Sequence, residues 1–319
     1  MAKAKYVHFN GDIVPWDEAR IHIFSPVAKY GIGVFEGIRG YWNVDAHEMF
    51  LFRLRDHMDR LAYSQKVMRF EGVVDGHTLA RKTIELIQAN EFKEAIHIRV
   101  QLYVDGEGDL SASGPVGVAI TAVPRPLPKQ ALKGVTTQVS SWARISDRSM
   151  PARVKCNANY HNGRLAMLQA KADGYEAPIL LNQAGKVSEG SAMCFFMVRN
   201  GQMITPSVTN DVLESITRDT VLQISAEQLG YQPVQRDIDR SELYAADEAF
   251  FCGTGWEITP IIGVDGLPVG GGTVGPVVRK LQKTYFDIVE GRVPIHSDWR
   301  TPIYQSARFY APSTDAVCL

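Results

Sequence analysis

Four short stretches place reactive or polar side chains where an apolar segment ends or begins. Lys155 lies in Ala152-Arg-Val-Lys-Cys-Asn-Ala-Asn-Tyr160, just ahead of a helical pattern, and Glu189 lies in Val187-Ser-Glu-Gly-Ser191, just ahead of an apolar strand pattern. Thr217 and Arg218 open a helix that Ser215 can cap, and Gly253-Thr254-Gly255 follows the apolar run Ala249-Phe-Phe-Cys252. Strand ends and helix starts are common mounting points for binding groups on a rigid frame. A partly desolvated lysine can present a neutral amine and form a Schiff base with a carbonyl. A helix start with a threonine offers amide and hydroxyl donors to a phosphate. A buried carboxylate can keep a ring nitrogen protonated, which makes a heteroaromatic ring a better electron sink. Taken singly, each residue has a commoner use: Lys155 as a solvated lysine, Glu189 as a turn carboxylate, Ser215 and Thr217 as helix caps.

The elements that must position these residues can be read from hydrophobic periodicity. Residues 6–10 form a strand candidate, and residues 52–68 and 78–90 follow a helical rhythm. In residues 95–104, Ile96, Ile98, Val100 and Leu102 fall on one face and His97, Arg99 and Gln101 on the other, a strand with an apolar back and a polar front. Arg99 is thereby a candidate for a substrate carboxylate, and a sheet face open to water is the equal alternative. Residues 116–123 are apolar throughout and read as a central strand. Pro124, Pro126 and Pro128 then interrupt the pattern, since proline continues neither a helix nor an inner strand. The expected organisation is an N-terminal domain over residues 1–123, a linker over 124–134, a larger C-terminal domain over 135–295 and an irregular polar tail over 296–319. In the second half, strands are expected at 135–142, 177–182, 192–198, 248–252 and 258–264, and helices at 162–172, 215–229 and 274–290. The interspersed strands and helices predict a two-domain mixed α/β or α+β protein.

Composition narrows the class. The chain has 319 residues, a hydrophobic fraction of 45% and a net charge of −1. This is a normal globular composition with no overall field for nucleic acid or an anionic membrane. Cys156, Cys194, Cys252 and Cys318 are widely spaced and match no zinc signature, so reduced buried thiols and no metal are expected. The start MAKAKYVHFNGDIVPW lacks the apolar stretch of a secretory signal, and a cytoplasmic protein is expected. No P-loop, GxSxG or HExxH motif is present. Tyr30-Gly-Ile-Gly33 lacks the third glycine of a dinucleotide fingerprint, and Gly270-Gly-Gly272 reads as a hairpin loop.

Longer stretches carry a resemblance. Ser188-Glu-Gly-Ser-Ala-Met-Cys-Phe-Phe196, Ile204-Thr205 and Leu213-Glu-Ser-Ile-Thr-Arg218 resemble the signature of the class IV aminotransferases. The resemblance extends in order to Tyr30-Gly-Ile-Gly-Val-Phe-Glu-Gly-Ile-Arg39, Phe52-Arg-Leu-Arg-Asp-His-Met-Asp-Arg-Leu61, Ser140-Ser-Trp142, residues 155–160 and Gly253-Thr-Gly-Trp-Glu-Ile-Thr-Pro260, and within the family it is greatest to the branched-chain enzymes. It implies the fold type IV of pyridoxal 5'-phosphate enzymes (D-amino-acid aminotransferase-like), a site between two domains, and a homodimer. It also implies ping-pong transamination between a branched-chain or other hydrophobic amino acid and a 2-oxo acid such as 2-oxoglutarate. Lys155 resembles the lysine that carries the cofactor and shuttles the proton. Tyr160 resembles the tyrosine on the cofactor's phenolic oxygen, and Glu189 the carboxylate on its ring nitrogen. Arg55, Ile216, Thr217 and Thr254 resemble the phosphate site. Tyr30, Phe35, Arg39, His97, Arg99, Gly255 and Trp256 fall where such enzymes build the substrate pocket, Tyr30 from across a dimer interface. The same family includes D-amino-acid and (R)-amine aminotransferases and aminodeoxychorismate lyase, and a non-catalytic cofactor-binding homologue is a further alternative. The chain departs from the family's usual residues at Cys194 (Asn), His97 (Tyr), Trp256 (small) and Glu214-Ser215 (Pro-Gly), and the departures at His97 and Trp256 bear on the substrate rather than the cofactor.

Overall fold

The computed structural model describes residues 4–305. Two sheets carry the fold. The first contains β1 (Tyr6–Phe9), β2 (Asp12–Pro15), β3 (Gly33–Asn43), β4 (Glu48–Phe52), β5 (Ile96–Val104) and β6 (Val116–Pro124), joined late in the chain by β16 (Arg300–Pro302), in the order β16-β4-β3-β5-β6-β1-β2. The second contains β7 (Val135–Val139), β8 (Ala177–Leu181), β9 (Val187–Gly190), β10 (Cys194–Arg199), β11 (Gln202–Thr205), β12 (Val234–Gln235), β13 (Glu248–Gly253), β14 (Glu257–Val264) and β15 (Leu267–Pro268). Its order is β12-β11-β10-β13-β14-β7-β8-β9, with β15 paired to β14. Strand β9 also pairs with β10 through Glu189 and Cys194, so six of these strands close into a ring. The helices are α1 (Pro26–Tyr30), α2 (Leu54–Val67), α3 (Gly76–Asn90), α4 (Lys129–Lys133), α5 (Asn159–Ala172), α6 (Ile216–Gln228) and α7 (Pro276–Val289). The chain is a mixed α/β protein, as its sequence predicts.

The two-residue period of a strand sorts side chains between cores. In β5, Ile96, Ile98, Val100 and Leu102 enter the core beneath α2 and α3, and the opposite face presents His97, Arg99 and Gln101. In β10, Cys194 and Phe196 pack toward α6 and α7, whereas Phe195 and Met197 face the inside of the closed sheet. Strand β13 divides in the same way, with Phe250 and Cys252 outward and Ala249 and Phe251 inward. Both faces of β10 and β13 are therefore apolar, which explains their unbroken hydrophobic runs.

Three features depart from the sequence expectations. Strand β3 has no clean alternation in its sequence, because its first nine residues are buried on both faces. The segment between β6 and β7 holds the five-residue helix α4 despite its prolines, which precede the helix rather than interrupt it. The stretch after residue 296 is not irregular throughout, since Arg300–Pro302 forms β16 against β4. Buried Glu48 fixes that segment by accepting hydrogen bonds from the backbone N–H groups of Ile303, Tyr304 and Gln305 at 2.7–2.9 Å. Residues 306–319, including Cys318, lie outside the described residues.

Helix α5 rests directly on the backbone that follows β9. A Cβ placed on Gly163 would stand 2.0 Å from the Ser191 carbonyl oxygen, an impossible approach unless the helix moves. Gly163→Ala is expected to destabilise the protein by about 3 kcal/mol, in the manner of an overpacked core. Urea denaturation measures this, and an unchanged midpoint would show that α5 does not rest on residue 191.

Candidate active site

The two sheets bound a cavity of about 510 Å³ lined by residues from both and from the segment between them. Lys155 enters it from a strand-like stretch that attaches to the start of β3. The Phe35 N–H donates to the Lys155 carbonyl at 3.0 Å and the Asn157 N–H to the Gly33 carbonyl at 2.9 Å, with Val34 and Cys156 as bridge partners. The Lys155 N–H donates to the Ser64 hydroxyl of α2 at 3.3 Å. The lysine backbone is thus held by the first sheet and its helix. Its side-chain amine donates to the Tyr160 hydroxyl at 2.5 Å and lies 4.8 Å from the Phe35 ring centroid. Tyr160 stands in the first turn of α5, which starts at Asn159, three residues before the sequence pattern suggests, and its ring packs 4.9 Å from that of Phe35.

Glu189 occupies the opposite wall. It sits in β9 where that strand pairs with β10, and it is buried. The Arg144 guanidinium lies 2.8 Å from Oε1, the Leu213 N–H donates to Oε2 at 3.2 Å, and the Cys194 thiol approaches Oε2 at 4.0 Å. Burial pushes the Glu189 carboxyl above its ordinary range and the Arg144 charge opposes this. The same burial, with Glu189 beside it, pushes the Cys194 thiol up to about 12, so it is a neutral donor at physiological pH.

At the end of the cavity beside α6 the structure departs from one expectation. Arg55 is 93% exposed and pairs only loosely with Asp59, 3.9 Å away on the outer face of α2. Arg60 lines the cavity instead. The step of five positions from one to the other turns a helix by about 140° beyond one full turn, which carries the two guanidiniums to different faces. Arg60 grips buried Glu36 with two hydrogen bonds of 2.7 Å, and its third arm reaches the Glu214 carbonyl at 2.7 Å. Burial works against ionised Glu36, but Arg60 and the His57 hydrogen bond outweigh it and hold the carboxyl at about 2. Arg53, at the start of α2, reaches Asp219 and Thr220 of α6 at 2.6 and 3.1 Å. The two arginines therefore brace the α6 N-terminus against α2. Ser215 caps α6 and lines the cavity, while Ile216 and Thr217 are buried in its first turn, where backbone N–H groups lack intrahelical partners. Thr254 completes this end from the turn after β13.

Phe35, His97, Arg99, Gly255 and Trp256 all line the remaining wall. Arg99 lies flat over the Phe35 ring at 3.6 Å and donates to Gln101 Oε1 and Asn157 Oδ1 at 2.9 and 3.3 Å. Trp256 turns toward the cavity and packs edge-on against Phe251 at 6.4 Å. Arg39 does not reach the cavity. It is buried in an ion pair with Glu257 at 2.9 Å, next to a hydrogen bond between the Tyr41 and Tyr285 hydroxyls at 3.1 Å. Arg39 stands opposite His97 in the β3–β5 ladder, on the same sheet face as Phe35, but its guanidinium is engaged by the Glu257 carboxylate. Tyr30 lies at the end of α1, 45% exposed and outside the cavity.

An amine on a tyrosine, a buried carboxylate opposite it and a basic helix start between them form one constellation. A family model for amino-transferase class IV matches residues 33–264. The chain belongs to the class IV aminotransferases. It is 36% identical to the probable branched-chain-amino-acid aminotransferase of Aquifex aeolicus, over 94% of this chain and 97% of the relative. It is also 36% identical to the branched-chain-amino-acid aminotransferase of Escherichia coli K12, over 95% of this chain and 99% of the relative. Among solved structures, the branched-chain aminotransferase of Thermoproteus uzoniensis with norvaline superposes with a TM-score of 0.89 at 40% identity, covering 94% of this chain and all of that one. The enzyme of Thermobaculum terrenum in its PLP-form gives 0.89 at 39% identity, covering 94% and 99%.

In this class IV aminotransferase, sequence reasoning missed Arg60, Arg144, Arg125 and Asn157 among the cavity residues. Arg60 stands within a quoted motif, one helical face away from the arginine chosen. Arg144 shows no local signal, because its role depends on the chain fold that brings residue 189 beside it. No helix among the described residues is long and apolar enough to cross a membrane.

His97 carries a pH signature. Burial, with the charges of Arg39, Arg125, Lys155 and Arg99 behind it, lowers its imidazole to about 4. A histidine lowered in the folded state is neutral there while the unfolded chain takes up a proton. Stability contributed by the neutral form is full above the ordinary value of 6.5 and is lost as pH falls from 6.5 toward 4. Between pH 7 and pH 5 the ligand-free protein is expected to lose on the order of 2 kcal/mol through this group. His97→Asn removes that part of the slope. Urea titrations of both proteins at the two pH values test this, and parallel slopes would place the His97 proton equilibrium near its ordinary value.

Proposed function

We propose that this protein is a pyridoxal 5'-phosphate aminotransferase that moves the amino group of a branched-chain or other hydrophobic amino acid to a 2-oxo acid such as 2-oxoglutarate. The observation that carries the reading is the Lys155–Tyr160 contact facing the Arg144-backed carboxylate of Glu189 within one cavity. The donor set fits the cofactor at three separate points. Lys155 suits its aldehyde carbon, Glu189 its ring nitrogen, and Arg60 with Ser215, Thr254 and the first amides of α6 its phosphate. When bound, pyridoxal phosphate supplies a carbonyl that condenses with amines and a ring that accepts the electron pair left when a Cα–H bond breaks.

The chain's own residues supply the rest. Tyr160 orients the Lys155 amine, which would hold the cofactor through its aldehyde carbon between turnovers and, when free, would carry the proton from the substrate Cα to that aldehyde carbon. Glu189 holds the ring nitrogen, and the Arg144 charge opposes the rise that burial gives its carboxyl. Phe35 and Trp256 shape the place for an apolar side chain, and Arg99 offers a guanidinium for a carboxylate. The proposal includes residues 1–123 and 135–295 as two domains with the site between them, a homodimer in which Tyr30 completes the site of the other copy, and residence in the cytoplasm.

Two measurements test this. Addition of L-leucine to the wild-type protein is expected to bleach the cofactor absorption band, and Lys155→Ala is expected to abolish that change. A fully active Lys155→Ala variant would sink the assignment, and a stronger response to D-alanine or an (R)-amine would move the substrate. Separately, Arg60→Gln is expected to weaken cofactor binding at least tenfold, about 1.4 kcal/mol. Arg55→Gln, on the exposed face, leaves it within twofold. The reverse pattern would return the phosphate to Arg55.

A further inference from the structure

A second cavity, of about 360 Å³, lies where α3 covers β1 and β6 of the first sheet. Sites for small molecules commonly occupy about 300–1,000 Å³. This cavity shares no lining residue with the one around Lys155. Strand β5 runs between the two: its His97 and Arg99 face the first, and Asp105, directly after it, lines the second.

Two opposite charges line this second cavity without meeting. Lys82 comes from α3 and is half-buried. Its ammonium contacts His8 Nε2 at 2.9 Å and donates to the Gly11 carbonyl at 3.2 Å. An ammonium can only donate, so His8 accepts through Nε2 and its ring is neutral. Burial, with the Lys82 charge behind it, lowers the His8 imidazole and keeps it so. Two N–H bonds of Lys82 are therefore placed by uncharged partners, and a third is left over. Glu85, the one carboxylate of α3, is held by Arg81 at 2.6 Å instead. On the other side, the Asp105 N–H is tied to the Pro115 carbonyl at 2.9 Å. Its carboxylate takes one long hydrogen bond, from the Asn10 amide at 3.3 Å. Asn10 is itself held by the Val118 N–H and the Tyr103 hydroxyl at 2.9 and 3.2 Å. Among the described residues, no carboxylate stands within ion-pair distance of Lys82, and no cation within that distance of Asp105.

A free cation and a free anion on fixed backbones suit an occupant that carries both charges, since a simple ion satisfies one and leaves the other. The rest of the wall is apolar, with Val74, Pro115, Val116 and Val118, and offers a polar side chain no partner. We propose that this cavity is a binding site for an α-amino acid with a small aliphatic side chain, its carboxylate on Lys82 and its ammonium on Asp105. The site stands apart from the transamination chemistry, and the inference goes beyond that reading.

Hydrogen exchange of the purified protein, read by mass spectrometry with and without L-valine, tests this. L-Valine is expected to slow exchange in residues 6–12 and 74–82, separately from any effect around Lys155. Asp105→Asn and Lys82→Gln are each expected to raise the L-valine concentration needed for that protection at least tenfold. Lys82→Arg restores most of it, and the response around Lys155 stays unchanged in all three variants. Isovalerate and isobutylamine, each of which keeps one of the two charges, are expected to give no protection where L-valine saturates. Absence of protection by L-valine in residues 6–12 and 74–82 overturns the proposal, as does protection that survives both Asp105→Asn and Lys82→Gln. Equal protection by isovalerate would reduce the cavity to an anion site on Lys82 and overturn it as well. If a variant fails to fold, the comparison of the three compounds on the wild-type protein still decides.

Discussion

The pairing of residues 155–157 with the first residues of β3 is the constraint on which the site depends. Lys155 belongs by sequence to the second half of the chain, yet its carbonyl and its neighbour's amide are hydrogen-bonded to Phe35 and Gly33 of the first. The Ser64 hydroxyl adds a contact from α2. The Lys155 amine is thus fixed to the sheet that carries Phe35, His97 and Arg99, while Tyr160, five residues on, stands in the first turn of the helix that rests on the second sheet through Gly163. Both halves must be in register for the amine to meet the tyrosine.

Charge compensation organises what surrounds that pairing. Burying an ion costs free energy unless a partner and hydrogen bonds replace water. Three deeply buried pairs around the site meet this condition: Glu36 has Arg60 and His57, Glu189 has Arg144 and Leu213, and Arg39 has Glu257. The pairs also do mechanical work. Arg60 links β3 through Glu36 to the backbone before α6, and Arg39 links β3 to the start of β14, directly after the turn that carries Thr254 and Trp256. The cavity wall is therefore braced on two sides by ion pairs, one of which, through Arg60, also faces the cavity.

Much of this was legible in the sequence where the signal is local. The alternation in residues 95–104 places His97 and Arg99 on the face that meets the cavity, and Ser215 does cap α6 through the Arg218 N–H. Lys155, Tyr160, Glu189 and Thr254 come together as one cavity. What could not be read depends on partners distant in the chain. Arg144 matters because of a residue 45 positions later, and Arg39 is engaged by Glu257, 218 positions on. Arg55 and Arg60 occupy one helix, and only the packing of α2 on β3 decides which of them faces inward. Strand β3 was illegible for another reason: burial on both faces erases the alternation that would reveal it.

The attachment of residues 300–305 beside β4 has a consequence for solubility. Without β16, Phe50, Leu51 and Phe52 would offer an open strand edge, a template on which another chain could add itself. The covering strand is only three residues long and ends in Pro302, which has no N–H to extend the ladder. The Glu48 carboxylate that gathers the following amides thereby keeps the border of the first sheet closed to self-association through its backbone.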